Sequence, residues 1–243
     1  QRRVDGELGE EIPMTIRDGL DEARDVLVTL GPAAGTPSTV GHLPTQYVEV
    51  EVETLSDGIG YFGLSSFFAP MLVNRELSAA MASWTDATGI IIDLRGNTGG
   101  IIGLGMGVGG WFVADSSGYL GTMKQRDVEL RFVLFKRANP YLGPVAILVD
   151  ELSLSTSEIV SGGLQDLGRA RVFGTQTGGA ALPSVIEQLP NGDRFQYATA
   201  DFISFGGTRL EGIGVVPDEI VVRDRATLLS GGDPVLDAAR DWI

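Results

Sequence analysis

The stretch PVAILVDELSLSTSEIVSGGLQDLG, residues 144–168, changes its pattern halfway along. Its first part, Val145–Val149, is a continuous apolar run with the length of a buried strand. From Ser155 onward the pattern is that of a capped helix start, with Ser and Glu158 three residues apart ahead of apolar residues. A buried strand that turns directly into a helix predicts an α/β fold, with Ser155 at the tip of the turn.

The same alternation of strand and helix patterns recurs on both sides of this stretch. GIIIDLR (89–95) is another short apolar run, and GNTGG (96–100) ends it with glycines that open a further helix. RARVFG (169–174) is a third buried strand. QYVEVEVETL (46–55) alternates apolar and acidic residues with the period of a half-buried strand. We therefore predict an α/β core built of layers.

The part of the chain after Thr175 is rich in strand patterns. NGDRFQYATADFISFGGTRLEG (191–212) combines an Asn-Gly turn signal with alternating side chains, and GVVPDEIVV (214–222) has the pattern of a last strand. DPVLDAARDWI (233–243) predicts a closing helix, with Asp233 as its N-cap and Pro at its first position. The predicted core therefore has a β-rich C-terminal part.

Two regions are expected along the chain. Residues 1–45 are polar, acidic and interrupted by Pro and Gly, so they cannot make a core by themselves. We expect them to form an N-terminal attachment, which could be the remnant of a neighbouring region. Residues 46–243 are expected to form one core domain, because a chain of this length buries a substantial apolar interior.

Composition excludes several classes of function. The chain has 18 Lys and Arg against 32 Asp and Glu, a formal net charge of −14, whereas nucleic-acid binding depends on clustered basic residues. It has no Cys and one His, which excludes thiolate catalysis and argues against a transition-metal site. Its apolar runs are far shorter than the roughly 20 residues of a membrane span. We expect no cofactor, no metal, no nucleic-acid partner and no membrane span.

The serine at the tip of the turn has two interpretations. Ser155 and Glu158 fit a capping box, in which each side chain binds a free backbone amide of the first helical turn. The same geometry suits a nucleophile, because the positive end of the helix dipole favours a developing alkoxide. Spacing alone favours the cap, since strand-to-helix turns capped by Ser are common.

The glycine-rich turn DLRGNTGG (93–100) also has two interpretations. Its glycines either let the backbone turn sharply, or they present successive amides as an anion site for phosphate or for the oxyanion of an acyl-transfer intermediate. Nucleotide binding is disfavoured, because no phosphate-loop fingerprint is present and no lysine lies nearby. Arg95, beside Asp93, could form a strand-end ion pair or steer a substrate carboxylate.

Taken together, three motifs resemble the C-terminal processing (tail-specific) serine peptidases. They are GIIIDLRGNTGG (89–100), the run from VAILVDELSLSTSE to GTQTGG (145–179) and TRLEGIGVVPDEIVV (208–222), in that order and spacing. The resemblance covers roughly residues 45–243 and implies a ClpP/crotonase-like layered α/β fold. Members of this family often carry a PDZ domain, for which residues 1–45 are too short, so a PDZ-like remnant is the expectation there.

The resemblance implies roles for individual residues. The family's nucleophile corresponds to Ser155, three residues before Glu158, which also matches a family position. Asp166 matches a position at which an acid supports the active site. Gly99 and Gly100 match the turn whose amides lie near the oxyanion, and the backbone around Ser155 is expected to supply the remaining donors.

One departure from the family concerns the general base. Where the lysine-dependent members have GxxTxGK, this chain reads GTQTGGA (174–180), so Ala180 stands in place of the lysine. Glu211 of EGIGVVPD matches the acid of a second branch, which resembles the tricorn protease core and pairs that acid with His. The single histidine, His42, and Lys124 are therefore the candidate bases, because active-site partners are neighbours in space rather than in sequence.

The sequence predicts a serine endopeptidase of the tail-specific type, acting through an acyl-enzyme on Ser155, with unfolded or C-terminally exposed polypeptides as substrates. The alternative is a catalytically lapsed relative that binds peptides or serves as a scaffold, which Ala180 favours. A third option is that Ala180 is an engineered substitution for lysine. The ALPS that follows it (181–184) argues against this option, because it does not resemble the usual sequence around the family's lysine. The residues carry no localisation or oligomer signal, and the family implies an extracytoplasmic site, periplasmic or secreted.

Overall fold

The computed structural model describes residues 6–115 and 117–243. Within these residues the chain forms five helices and fifteen strands. The helices are α1 (Pro70–Ser83), α2 (Ile102–Gly109), α3 (Thr156–Asp166), α4 (Arg225–Leu229) and α5 (Pro234–Trp242). The strands are β1 (Glu11–Arg17), β2 (Ala23–Thr29), β3 (Thr36–Ser38), β4 (Gln46–Val48), β5 (Val50–Thr54), β6 (Gly60–Leu64), β7 (Ile90–Asp93), β8 (Tyr119–Lys124), β9 (Glu129–Val133), β10 (Val145–Val149), β11 (Arg171–Gly174), β12 (Ser184–Gln188), β13 (Arg194–Ala198), β14 (Asp201–Ser204) and β15 (Glu219–Ile220).

A six-stranded sheet forms the centre of the fold. Its strand order is β15-β11-β10-β7-β6-β5, and all neighbours pair in parallel except β5, which is an antiparallel edge strand. In this register Ile147 of β10 lies between Ile92 of β7 and Val172 of β11. Every residue of β7 and β10 is buried, as expected for parallel strands covered on both faces. The α/β prediction is confirmed.

The two faces of the sheet pack against different helices. Successive side chains of a strand point to opposite faces, so the neighbours Ile91 and Ile92 enter different cores. Ile92 joins a core with buried residues of α1, α2 and α3. Ile91 joins a second core with Val235 and Ala239 of α5. This arrangement gives the predicted layers and places α3 on the face opposite α5.

The helices begin close to where the sequence predicts. α3 starts directly after Ser155, its N-cap residue, as expected. The Asp233 side chain accepts a hydrogen bond from the Leu236 amide, and Pro234 occupies the first helical position of α5. α1 begins at Pro70, whose fixed φ suits the first turn of a helix.

The β-rich C-terminal part is confirmed, but its pairing partners come from elsewhere in the chain. β12 and β13 form an antiparallel hairpin around Asn191-Gly192, as the turn signal predicts. β14 pairs instead with β8, in a three-stranded sheet of order β14-β8-β9. Sequence patterns reveal a strand's period but not its partner, which explains why this sheet was not foreseen.

The N-terminal region contains strands of its own. β1 and β2 form a separate two-stranded sheet whose residues are mostly exposed. β3 pairs with β4, so the expected boundary between residues 45 and 46 is crossed by a strand pair. In the part of the chain that is described, the helices are too short or too polar to span a bilayer.

Candidate active site

Ser155 and the glycine-rich turn meet at the carboxyl ends of β7 and β10. These parallel strands are neighbours, so the segments that follow them leave the sheet at the same edge. Asn97, in the glycine-rich turn, accepts hydrogen bonds on its carbonyl oxygen from the Leu154 amide at 2.9 Å and from the Ser157 hydroxyl at 2.9 Å. The two motifs that the sequence identified separately therefore form one site.

The backbone of Ser155 is strained. Its φ of 54° and ψ of −116° lie in a region that glycine adopts readily and L-residues rarely do. Asp21 is the other non-glycine residue with positive φ among the described residues. Such strain persists where the surroundings over-determine the conformation, often at active sites. A strained serine on a turn from strand to helix is also the geometry of the nucleophile elbow of α/β-hydrolases.

The Glu158 carboxylate holds this turn in place from the interior. Its side chain is fully buried, with 0% exposure. Oε2 accepts from the amides of Ser155 and Ala180, each at 2.9 Å, and Oε1 accepts from the Gly179 amide and the Thr177 hydroxyl, each at 2.7 Å. The Glu158 half of the predicted capping box is present, since its carboxylate accepts from the Ser155 amide, and Glu158 also connects the serine to residues 177–180.

Gly99 packs directly against the serine. A Cβ on Gly99, whose φ is +93°, would lie 2.7 Å from the Ser155 Cβ, so only glycine allows this approach. The Gly99 amide is not free for an oxyanion, because it donates to the Asn97 side-chain oxygen at 2.9 Å. This geometry corrects the expectation that Gly99 supplies an oxyanion donor: its contribution is the close contact.

The free amides beside the serine belong to Gly100 and Thr156. Neither amide donates to an acceptor among the described residues. The Thr156 hydroxyl donates to the Gly100 carbonyl at 2.8 Å and joins the two segments. Thr156 is the first residue of α3, where backbone amides have no acceptor within the helix. The predicted helix start after Ser155 was therefore the feature of the sequence from which this donor could have been identified. Gly100 and Thr156 together form the candidate oxyanion site.

Ala180 lies beside Ser155. Its amide shares the Glu158 Oε2 atom with the amide of Ser155, and the residue is exposed. The resemblance implies a lysine at this position, and the chain has alanine there. Lys124 lies on β8 instead, where its ammonium pairs with Glu129 at 3.3 Å.

Glu211 supports the segment that follows Ala180. Its Oε2 accepts from the amides of Ala181 at 2.9 Å and Leu182 at 3.2 Å. Its Oε1 receives no hydrogen bond from the described residues. Glu211 thus binds the loop that contains Ala180, and one of its carboxylate oxygens has no protein partner in the described part of the chain.

Two other predicted site residues make no hydrogen bond to the serine in the described part of the chain. His42 is exposed, its carbonyl accepts a hydrogen bond from Arg194 of β13, and no hydrogen bond joins its ring to Ser155 in the described residues. Asp166 is the last residue of α3, roughly 16 Å along the helix axis from its start. Its carboxylate accepts from the Gly206 amide at 2.7 Å, so it positions the turn after β14. The structure does not bring Asp166 to the serine.

Arg95 forms the ion pair that was one of its two expected roles. Its guanidinium, largely buried, binds Asp93 and also Asp233 at the start of α5. Burial lowers the pKa of Arg95, but the hydrogen bonds and charges of both carboxylates outweigh it and hold the pKa above its usual value. Burial, with the charge of Asp93, raises the pKa of Tyr61, whose hydroxyl donates to Asp93. Arg95 thus fastens the glycine-rich turn to α5.

Sequence comparison identifies similar proteins over most of the chain. The profile of peptidase family S41 matches residues 58–221. A carboxyl-terminal-processing protease of Picosynechococcus sp. is 26% identical over 225 residues, 91% of this chain and 51% of that protein. Carboxyl-terminal-processing peptidase 3, chloroplastic, of Arabidopsis thaliana is 26% identical over 198 residues, 76% of this chain and 38% of that protein. The chain thus spans about half or less of the length of these relatives.

Structural comparison gives the same fold. The solved structure of a photosystem II D1 C-terminal processing protease superposes with a TM-score of 0.64 at 20% sequence identity, covering 89% of this chain and 57% of the other. At this level of identity the likeness concerns the arrangement of helices and strands.

Proposed function

Because this chain belongs to peptidase family S41, we propose that it is the core of a tail-specific serine endopeptidase that acts through an acyl-enzyme on Ser155. The observation that carries the proposal is the strained backbone of Ser155, held by a fully buried carboxylate and packed against a glycine. A helix cap needs none of this strain, since Ser caps helices from ordinary extended conformations.

The geometry supports a definite sequence of steps. The Ser155 oxygen attacks a peptide carbonyl, its proton passes to a base, and the carbonyl oxygen becomes an oxyanion facing the amides of Gly100 and Thr156. The proton then passes to the leaving amine, and water hydrolyses the acyl-enzyme. Each oxyanion donor in such a site contributes about 3–4 kcal/mol to stabilising the transition state. The N-terminus of α3 adds a positive potential at the same place.

We propose polypeptides with unfolded or exposed C-terminal segments as substrates, and an extracytoplasmic site of action. Both proposals come from the relatives, which are named carboxyl-terminal-processing enzymes, one of them chloroplastic. The net charge of −14 supports the expectation that nucleic acids are not partners.

A fluorophosphonate probe tests the nucleophile. The purified chain is treated with the probe and its intact mass is measured, with Ser155→Ala as control. We expect one adduct on the parent chain and none on the variant. A folded parent chain that takes up no probe would contradict the proposal and favour the alternative, a relative that binds peptides without cleaving them.

The same probe tests the proton acceptor. His42→Ala and Glu211→Gln are compared with the parent, because His42 is the single imidazole of the chain and Glu211 has a carboxylate oxygen without a protein partner among the described residues. Loss of labelling in one variant assigns the base, since general-base assistance is worth about 10²–10⁴-fold. Unchanged labelling in both variants would remove these two residues from the mechanism.

Restoring the amine tests the same site by gain of activity. Ala180→Lys places an ammonium-bearing side chain on an exposed position beside Ser155. We expect labelling of Ser155 to become at least about tenfold faster, rising with pH as the lysine loses its proton. Gln176→Lys, on an exposed position of the same loop, is the control for added charge. Equal rates for both variants would contradict the assignment of Ala180.

A further inference from the structure

Thr177 connects the Glu158 carboxylate to a third segment of the chain. The Val215 amide donates to the Thr177 hydroxyl oxygen at 2.7 Å, and that hydroxyl donates to Glu158 Oε1 at 2.7 Å. The Thr177 amide in turn donates to the Val215 carbonyl at 3.1 Å. Thr177 is only 4% exposed, so water does not substitute freely for these bonds.

The hydrogen bonds from Val215 through the Thr177 hydroxyl to Glu158 form a relay, and their donors and acceptors can be assigned in only one way. A backbone amide donates and cannot accept, so the hydroxyl oxygen of Thr177 must be the acceptor for Val215. The single proton of the hydroxyl is then left for the carboxylate, which in its ionised form can only accept. Both ends of the relay thus determine the orientation of the hydroxyl, and through it that of the Glu158 carboxylate.

Among the donors to Glu158, Thr177 is the one that comes from a side chain. The other three are the backbone amides of Ser155, Gly179 and Ala180. No lysine or arginine pairs with Glu158 in the described residues. A buried carboxylate without a counter-ion depends on its hydrogen bonds for stability. If the Glu158 carboxylate rotates because Oε1 has lost the Thr177 donor, Oε2 moves as well, and Oε2 is the atom that binds the amides of Ser155 and Ala180.

We propose that Thr177 is a positioning residue for the nucleophile. Its hydroxyl fixes the Glu158 carboxylate in the orientation that holds the strained backbone of Ser155 and the backbone of Ala180 together. This inference rests on the proposed function for its catalytic consequence. The structural consequence, coupled order of residues 154–158 and 177–181, does not depend on catalysis.

Hydrogen exchange tests the structural consequence. Thr177→Val keeps the shape of the side chain and removes the hydroxyl, whereas Thr177→Ser retains it. Ser161→Ala is the matched control, because it removes another buried hydroxyl, one that donates to the Ser157 carbonyl at 2.7 Å within α3. We expect amide exchange in peptides covering 154–158 and 177–181 to become about tenfold faster in Thr177→Val. Thr177→Ser and Ser161→Ala should exchange there like the parent.

Labelling of Ser155 by the fluorophosphonate probe tests the catalytic consequence. We expect Thr177→Val to react about tenfold or more slowly, and Thr177→Ser to retain the parent rate. Exchange in Thr177→Val that matches Ser161→Ala in both segments would overturn the inference. If exchange changes as expected but no variant reacts, the parent included, the proposed peptidase function fails and the relay stands.

A second substitution covers the case in which Thr177→Val does not fold. Thr177→Cys replaces the hydroxyl by a thiol, which is a weaker donor. If the relay is correct, the amides of residues 154–158 and 177–181 should exchange faster in Thr177→Cys than in Thr177→Ser, and more slowly than fully exposed amides. Equal rates for the Cys and Ser variants would overturn the inference.

Discussion

Ser155 combines a costly backbone conformation with a dense set of contacts. Residues in such regions of φ and ψ cost about 1–3 kcal/mol each. Here the conformation is held by Glu158 through the amide of Ser155 and by the contact with Gly99. The strain is therefore imposed by contacts within the candidate site. Substitutions at these positions can measure separately its effect on the free energy of unfolding and its effect on the reactivity of Ser155.

Substituting the serine itself measures the strain. We expect Ser155→Gly to be more stable than Ser155→Ala by about 1 kcal/mol, because glycine accepts the φ of 54° and serves as an N-cap at little cost. The free energies of unfolding from urea titrations give the comparison. Both variants lack the proposed nucleophile, so neither should react with the probe. Equal stability would show that the backbone relaxes once the hydroxyl is gone.

Substitutions at two glycines of the same turn distinguish backbone strain from a steric clash with Ser155. Gly99 and Gly96 both have positive φ, +93° and +70°, but a Cβ on Gly96 meets nothing within 4 Å, whereas one on Gly99 meets Ser155. We expect Gly96→Ala to lose about 1–2 kcal/mol of stability and to keep probe labelling. Gly99→Ala should lose more stability and, in addition, the labelling. Normal labelling of folded Gly99→Ala would contradict the contact.

At the scale of elements, α5 is tied to the sheet through its first turn. Asp233 caps the helix by accepting from the Leu236 amide and binds Arg95 at 2.8 Å. Burial raises the pKa of Asp233, but Arg95 and the helix amides outweigh it, so the pKa lies below its ordinary value. An acid with a lowered pKa stabilises the fold above its unfolded pKa, and this contribution is lost as pH falls through the folded value.

Removing this acid is expected to have a pH-dependent effect. Asp233→Ala should reduce the free energy of unfolding by about 0.5–2 kcal/mol at pH 7, the usual range for an N-cap. The difference from the parent should shrink below about pH 4, as the parent's own carboxylate becomes protonated. Urea titrations at pH 7 and pH 3 measure it. Asp237→Ala, on an exposed position of the same turn, is the control and should change little. A difference that does not vary with pH would contradict the pairing.

At the scale of the whole molecule, the dominant electrostatic feature is excess negative charge. The chain carries a formal net charge of −14. Most ion pairs of the described residues have at least one exposed partner. Exposed ion pairs contribute about 0–1 kcal/mol each to stability. The mutual repulsion among the acids is therefore the larger of the two electrostatic contributions that salt screens.

Salt is therefore expected to stabilise the protein. Raising sodium chloride from about 0.01 M to about 0.15 M shortens the Debye length from about 30 Å to about 8 Å and screens the repulsion. We expect Tm to rise by roughly 2–4 °C, the change that about 1 kcal/mol produces in a chain of this size. Thermal unfolding followed by circular dichroism measures it. A lower Tm in salt would show that attractive pairs dominate.

The sequence by itself determined the features that depend on local pattern. The apolar runs of β7 and β10, the helix start at Ser155 and the cap of α5 at Asp233 all follow from short-range rules and appear in the structure. The layered α/β class follows from the order of these elements. Family motifs then identified Ser155 as the candidate nucleophile, a role that the probe experiment tests.

Only the tertiary structure decided which groups meet. The Gly99 amide donates to Asn97, and Asp166 lies at the far end of α3. Thr177 connects Glu158 to Val215, which lies 38 positions after Thr177 in the sequence. Hydrogen-bond partners of this kind are set by how strands and loops converge at one edge of the sheet, which no periodicity records. Local propensity thus specified the elements, whereas burial and backbone direction at the ends of β7 and β10 specified the site.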